Sequence, residues 1–292
     1  MTYFQQLISC VDLHAMLDSK DLVILDASIP PVGNMAAANH SWPKHRLPNA
    51  QRFDLNQDFS DLNSHLPHTM PSAAHFEAAA KKLGINQESQ IVVYDDLGLF
   101  SAARAWYMFK AMGHKNVAVL DGGLPHWLKL NKPVASKSIN FNTDKEQGVG
   151  NFVAKEDESY FCDWNEIEAQ TRSKNKVILD ARASRRFKGL DAEPREGVRS
   201  GHMRNAKNLP YNGLLTEGLL KSPAELEQIF TKINSGDDGM IMSCGSGVTA
   251  CILVLAAELC GRKNVQVYDG SWSEWGSLPN TRVESDSDNT TT

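Results

Sequence analysis

The chain has 292 residues, more than one ordinary domain needs and enough for two, and its 41% hydrophobic and 22% charged residues are those of a globular protein. A net charge of −5 with no basic stripe excludes nucleic acid as an expected partner, and no apolar stretch approaches the roughly 20 residues that span a bilayer. The first residues have neither a signal-peptide nor a transit-peptide layout, and five cysteines without metal-ligand spacing suit a reducing cytosol, so the expectation is a cytoplasmic protein with no membrane partner.

Taken in order, the chain alternates short apolar runs with helical segments. Leu22 to Leu25 reads as a buried strand, and Ile91 to Tyr94 as another. Between them Ser72 caps a helix through Leu83, closed by Gly84. Ser101 starts a further helix through Met112, closed by Gly113. Residues 136–160 are polar and irregular and read as an interdomain linker lying over the surface. Ser222-Pro223 then opens a helix to about Ile233 by the N-cap and Pro-at-N1 rules. Met240 to Met242 reads as a buried strand, and Ala250 to Leu259 as a helix closed by Gly261. Residues 283–292, rich in Ser, Asp, Asn and Thr, read as a disordered tail.

The chain also repeats itself after about 150 residues, which means two homologous domains in tandem. Leu22-Val23-Ile24-Leu25-Asp26-Ala27 returns as Lys176-Val177-Ile178-Leu179-Asp180-Ala181, and Lys115-Asn116-Val117 returns as Lys263-Asn264-Val265. The expected domains are residues 1–135 and 161–282. Strand–helix alternation predicts an α/β fold, each domain a mainly parallel sheet covered on both faces.

One turn carries chemistry. Cys244-Gly245-Ser246-Gly247-Val248-Thr249 lies between a strand and a helix, so that backbone N–H groups and a helix N-terminus converge on the loop centre. Such a site favours an anion, and a thiolate at Cys244 is the candidate. The first copy has Asp95-Asp96-Leu97-Gly98-Leu99-Phe100 there, with Cys244 falling against Asp96 to within one residue. An aspartate cannot do thiolate chemistry, so the first domain reads as catalytically inactive. Cys251 and Cys260, inside the following helix, and Cys162 read as structural; Cys10 reads as near the surface.

Across almost its whole length the chain resembles the two-domain rhodanese-type sulfurtransferases. The resemblance rests on the Cys244 loop, Asp180-Ala181-Arg182, Arg186-Phe187-Lys188-Gly189, Glu193-Pro194-Arg195, Gly201-His202-Met203 and Tyr268-Asp269-Gly270-Ser271-Trp272-Ser273-Glu274-Trp275-Gly276. The loop itself looks like that of the 3-mercaptopyruvate sulfurtransferase type. The resemblance implies Cys244 as nucleophile, with Ser246 and Thr249 contacting the sulfur or its partner beside Gly245, Gly247 and Val248. It also implies that Arg186 and Arg195 bind the substrate carboxylate and carbonyl, a task that suits arginine's planar fork. From the first domain, His68 matches a histidine near the active cleft. Asn56 stands where many relatives carry an acid, which puts an acid-assisted triad in doubt. His202, Asp26 and Asp180 read as structural.

These residues predict a ping-pong sulfur transfer from 3-mercaptopyruvate through a Cys244 persulfide, releasing pyruvate. The expected acceptor is cyanide, a small thiol or a thioredoxin-like protein, and no metal or organic cofactor is expected. The alternatives are a thiosulfate:cyanide sulfurtransferase, disfavoured by an uncharged Gly245-Ser246-Gly247, and a non-catalytic sulfur-carrier partner, disfavoured by a complete loop. A cysteine phosphatase would need a loop arginine where Ala250 stands.

Overall fold

The computed structural model describes residues 5–30, 45–136, 149–236 and 239–286. It divides into two compact units: Met1–Leu62 with Met70–Asp157, and Asn63–Thr69 with Glu158–Thr292.

The first unit is built on a five-stranded parallel sheet of β1 (Leu7–Ile8), β2 (Leu22–Asp26), β3 (Gln51–Arg52), β4 (Gln90–Tyr94) and β5 (Val117–Leu120), in the order β1-β5-β4-β2-β3. Val and Ile dominate the inner strands, and every residue from Ile91 to Tyr94 and from Val117 to Leu120 is buried, as a sheet covered on both faces requires. Helices α1 (Cys10–Ala15), α2 (Ala73–Lys82), α3 (Ala102–Ala111) and α4 (Gly123–Lys129) alternate with the strands. The Ser72 hydroxyl caps α2, and Gly84 and Gly113 follow α2 and α3 with φ of +68° and +85°, which glycine adopts without strain. Ser101 precedes α3, but its side chain accepts no capping hydrogen bond.

The second unit repeats the plan. Its sheet is β6 (Phe161–Cys162), β7 (Val177–Asp180), β8 (Lys207–Asn208), β9 (Met240–Ser243) and β10 (Val265–Tyr268), all parallel, in the order β6-β10-β9-β7-β8. The two orders are the same, strand for strand. Helices α5 (Trp164–Ser173), α6 (Ser184–Phe187), α7 (Pro223–Ile233), α8 (Ala250–Leu259) and α9 (Ser271–Trp275) complete it. Ser222 and Glu225 close a capping box at the start of α7. Ala250 to Ala257 are all buried, so α8 is a core helix with no solvent face until its last turn.

Three expectations change. The linker read over 136–160 is in part a packed segment: Phe152 is fully buried in an aromatic cluster with Phe76, Phe109 and His114, and the Gly150 N–H donates to the Lys81 carbonyl. Residues 137–148 lie outside the described residues. The tail read over 283–292 begins instead as a strand, Val283–Glu284 pairing antiparallel with His202–Met203; residues 287–292 lie outside the described residues. Apolar Val283 alternates with polar residues too sparsely for pattern alone to show this pairing. Cys10 is buried rather than near the surface, with only 2% exposure. Among the described residues no helix is long and apolar enough to cross a membrane.

Candidate active site

Cys244 follows the last residue of β9, the central strand of its sheet, so the carboxyl end of that strand delivers the sulfur. The residue is 2% exposed. The turn after it is held from below by α9. The Ser271 hydroxyl accepts the N–H of Cys244 at 3.2 Å and of Gly247 at 3.0 Å, and donates to the Tyr268 carbonyl at 2.8 Å. The Cys244 carbonyl accepts from Trp272 N–H at 3.0 Å, and the Gly245 carbonyl from Ser273 N–H at 2.9 Å. Gly247 has φ +72°, the conformation that lets the loop turn back toward α8. With these tasks assigned, the N–H groups of Gly245, Ser246, Val248 and Thr249 have no protein acceptor among the described residues. They are the donors open to an anion on the sulfur.

Other side chains converge on the same loop. Ser246 is buried, and its hydroxyl lies 3.0 Å from His68 Nδ1. His68 adopts φ +60° at the tip of a turn braced by Ser64 and Thr69, whose hydroxyls are 2.9 Å apart. Thr249 precedes α8 but its side chain makes no capping bond. Above Gly245, a Cβ placed on the glycine would stand 3.4 Å from Arg186 Nη2 and 3.9 Å from Arg195 Nη1. Both guanidiniums therefore crowd the residue next to Cys244. Burial lowers the Arg195 guanidinium from its ordinary value; Cys244 opposes this, neighbouring Arg186 adds to it, and Glu193 also opposes it.

Arg186 is less open than its fork suggested. Its Nη2 sits 2.5 Å from Glu193 Oε2 and its Nε 3.3 Å from Oε1. Glu193 in turn accepts from Arg182 Nη1 at 2.8 Å, and Arg182 grips Asp180 through Nε and Nη2 while lying 4.3 Å over the Trp272 ring. Burial works against the Arg182 charge, but Asp180 and Glu193 more than offset it. Arg195 has no ion pair or side-chain hydrogen bond among the described residues.

Burial pushes Cys10 up to about 11, Cys162 to about 12 and Cys260 to about 11, so these thiols stay protonated near neutral pH. Cys251 donates to the Gly247 carbonyl. His202 stacks on Phe187 with ring centroids 4.0 Å apart and bonds the Phe187 carbonyl. Asn56 lies exposed in the first unit, its N–H donating to Asp54.

In the first unit the pairing of Asp26 with Tyr94 matches that of Asp180 with Ser243, which sets Asp95, not Asp96, against Cys244. Asp95 is fully buried and fills the loop itself: its Oδ2 accepts the N–H groups of Phe100, Ser101 and Ala102 at 2.8, 2.9 and 2.8 Å, and its Oδ1 that of Leu97 at 3.0 Å. The Leu124 N–H bonds the Asp95 carbonyl as Trp272 bonds that of Cys244, so Gly123 occupies the place of Ser271. Ser271 and Glu193 were not singled out by motif reasoning. Aligning Asp121-Gly122-Gly123 on Asp269-Gly270-Ser271 contains the signal for the first, a serine where its sister needs none.

The rhodanese-like domain family matches residues 9–130 and again 163–278. The chain is 38% identical over 270 residues to the 3-mercaptopyruvate sulfurtransferase of Homo sapiens, covering 90% of this chain and 88% of the relative. It is 40% identical over 270 residues, with the same coverage, to the thiosulfate sulfurtransferase of Cricetulus griseus. Among solved structures, SseA from Escherichia coli, described as a 3-mercaptopyruvate sulfotransferase with the rhodanese fold, aligns with a TM-score of 0.80 at 31% identity, over 92% of this chain and 99% of that one. Two matched copies, sheets of one strand order and relatives of this identity agree: the chain belongs to the rhodanese-like sulfurtransferase family, with the domain present twice.

Proposed function

We propose that the chain transfers the sulfur of 3-mercaptopyruvate through a persulfide on Cys244. The Cys244 thiolate attacks the donor's sulfur; an S–S bond forms, the C–S bond breaks, and its electron pair leaves with the carbon as pyruvate enolate, which is then protonated. The N–H groups of Gly245, Ser246, Val248 and Thr249 stabilise negative charge on sulfur as an oxyanion hole does on oxygen. In the second step an acceptor thiolate or cyanide attacks the outer sulfur, forming a persulfide or thiocyanate and returning Cys244 as thiolate. Arg195 and Arg186 hold the donor's carboxylate and carbonyl. Small thiols and thioredoxin-like proteins are the proposed acceptors. No disulfide joins the five cysteines among the described residues, which suits a reducing compartment such as the cytosol.

The observation that supports this reading most is the pair of guanidiniums over Gly245, beside a nucleophile in an N–H-lined turn. Thiosulfate remains the second reading because a relative of that name is 40% identical. Intact-mass analysis after incubation with each donor tests both: one added sulfur atom on wild-type protein, absent from Cys244→Ser, is the expected result. Sulfur transfer surviving in Cys244→Ser would overturn the assignment, and steady-state kcat/KM for the two donors ranks them.

A further inference from the structure

Glu193 takes no part in the sulfur chemistry, yet its side chain, only 3% exposed, is wedged between two arginines at the loop. The ion-paired chain beside Cys244 runs Asp180, Arg182, Glu193, Arg186, and its charges cancel. Arg199, on the same irregular stretch, spends its donors on oxygens of residues 275–281. Arg195 is the one guanidinium over the loop without an ion pair among the described residues, and Glu193 also acts on its charge from a distance, so this one carboxylate offsets part of the positive field of both arginines that the donor meets. We propose that Glu193 is a specificity-determining residue that acts through charge. By cancelling Arg186 it fits the site to a monoanionic carboxylate donor and against a dianion such as thiosulfate. This rests on the donor reading given above.

The geometry supports charge rather than mere bracing. Arg182 is already anchored by Asp180 through two nitrogens and by the Gly201 carbonyl, so the fold does not need Glu193 to hold it. Removing the Glu193 charge would leave Arg186 without its ion-pair partner and strengthen the positive field of Arg195 as well, which favours a doubly charged donor. In a partly buried site a unit charge a few ångströms away alters binding by about tenfold or more.

The test is kcat/KM for 3-mercaptopyruvate and for thiosulfate in wild type, Glu193→Gln and Glu193→Asp, at low and high salt. Glu193→Gln keeps the length and loses the charge; it should move the donor ratio toward thiosulfate by about tenfold or more and make thiosulfate turnover more sensitive to salt. Glu193→Asp keeps the charge; it should retain the wild-type ratio even where absolute rates fall. An unmoved ratio in Glu193→Gln, or an equal shift in both variants, would overturn the proposal. Wild type preferring thiosulfate would instead overturn the donor reading on which it rests.

Discussion

Ser271 is held at φ +49°, a region that costs a residue with a side chain about 1–3 kcal/mol, and its hydroxyl is what that conformation gains: two N–H groups of the Cys244 loop. Ser271→Gly should relieve the backbone and still unsettle the loop, lowering kcat/KM about tenfold with little loss of thermal midpoint, since one unmade hydrogen bond to a buried donor costs about 1–3 kcal/mol. A variant with wild-type kinetics would reduce Ser271 to a turn residue. The two arginines should also separate. Arg195→Ala should raise KM for mercaptopyruvate about ten- to a hundredfold, the loss of a charge-assisted contact of about 1.5–3 kcal/mol. Arg186→Ala should cost less, because Glu193 already holds one edge of its fork. Equal losses measured for the two variants would show that the Glu193 pairing does not limit Arg186. At this scale the grouping of Cys244, Arg186 and Arg195 around Gly245 was legible because motif and chemistry coincide on single residues. Ser271 and Glu193 were not, because their roles depend on partners 27 and 7 residues away, which spacing does not reveal.

The two strand–turn–helix elements of the duplicated plan differ in what meets their N–H groups. The β4–α3 turn points four N–H groups at a carboxylate of its own chain, whereas four N–H groups of the β9–α8 turn have no protein acceptor among the described residues. Asp95→Ala should destabilise the first unit by roughly 3 kcal/mol or more, as each buried donor left unpaired costs about 1–3 kcal/mol, and should leave persulfide formation on folded protein intact. Denaturant unfolding alongside the mass assay reads both; an unaltered stability would mean that the carboxylate is incidental. Helix ends were legible for a local reason: Ser72, Ser222, Gly84, Gly113 and Gly261 act within one turn of where they stand. The strand at Val283–Glu284 was not, because two residues carry no period and their pairing is with residues some 80 positions earlier in the chain, a long-range choice made by packing (on the order of the separations that contact-order arguments treat as non-local).

For the molecule as a whole, acid behaviour has a defined contributor in the first unit. Burial raises the Asp26 carboxyl from 3.8 to about 6, against the opposing bonds from Ser28 and Tyr94 and the charge of Arg52. The folded chain thus holds this proton more tightly than the unfolded chain does, so the group favours folding most below about pH 4 and that contribution is lost as pH rises through about 6. Between about pH 4.5 and about pH 7 the wild-type unfolding midpoint should fall relative to that of Asp26→Asn, which has no proton to lose; parallel midpoints would exclude Asp26 as the source. The tandem plan was legible because repetition survives in the sequence. The allegiance of residues 63–69 was not, since the chain leaves the first unit at Leu62 and rejoins it at Met70, and apart from the family resemblance at His68 no pattern in Ser64-His65-Leu66-Pro67-His68 announces the excursion. That short detour means the second unit cannot be inherited whole by a single crossover or released whole by a single cut. A gene fragment starting near residue 158 would encode all five strands of its sheet and the nucleophile, yet leave behind the histidine that touches Ser246. The half with Cys244 is thereby tied to the first half by the order of the chain itself, and a fragment that dropped the earlier sequence would lose His68 with it.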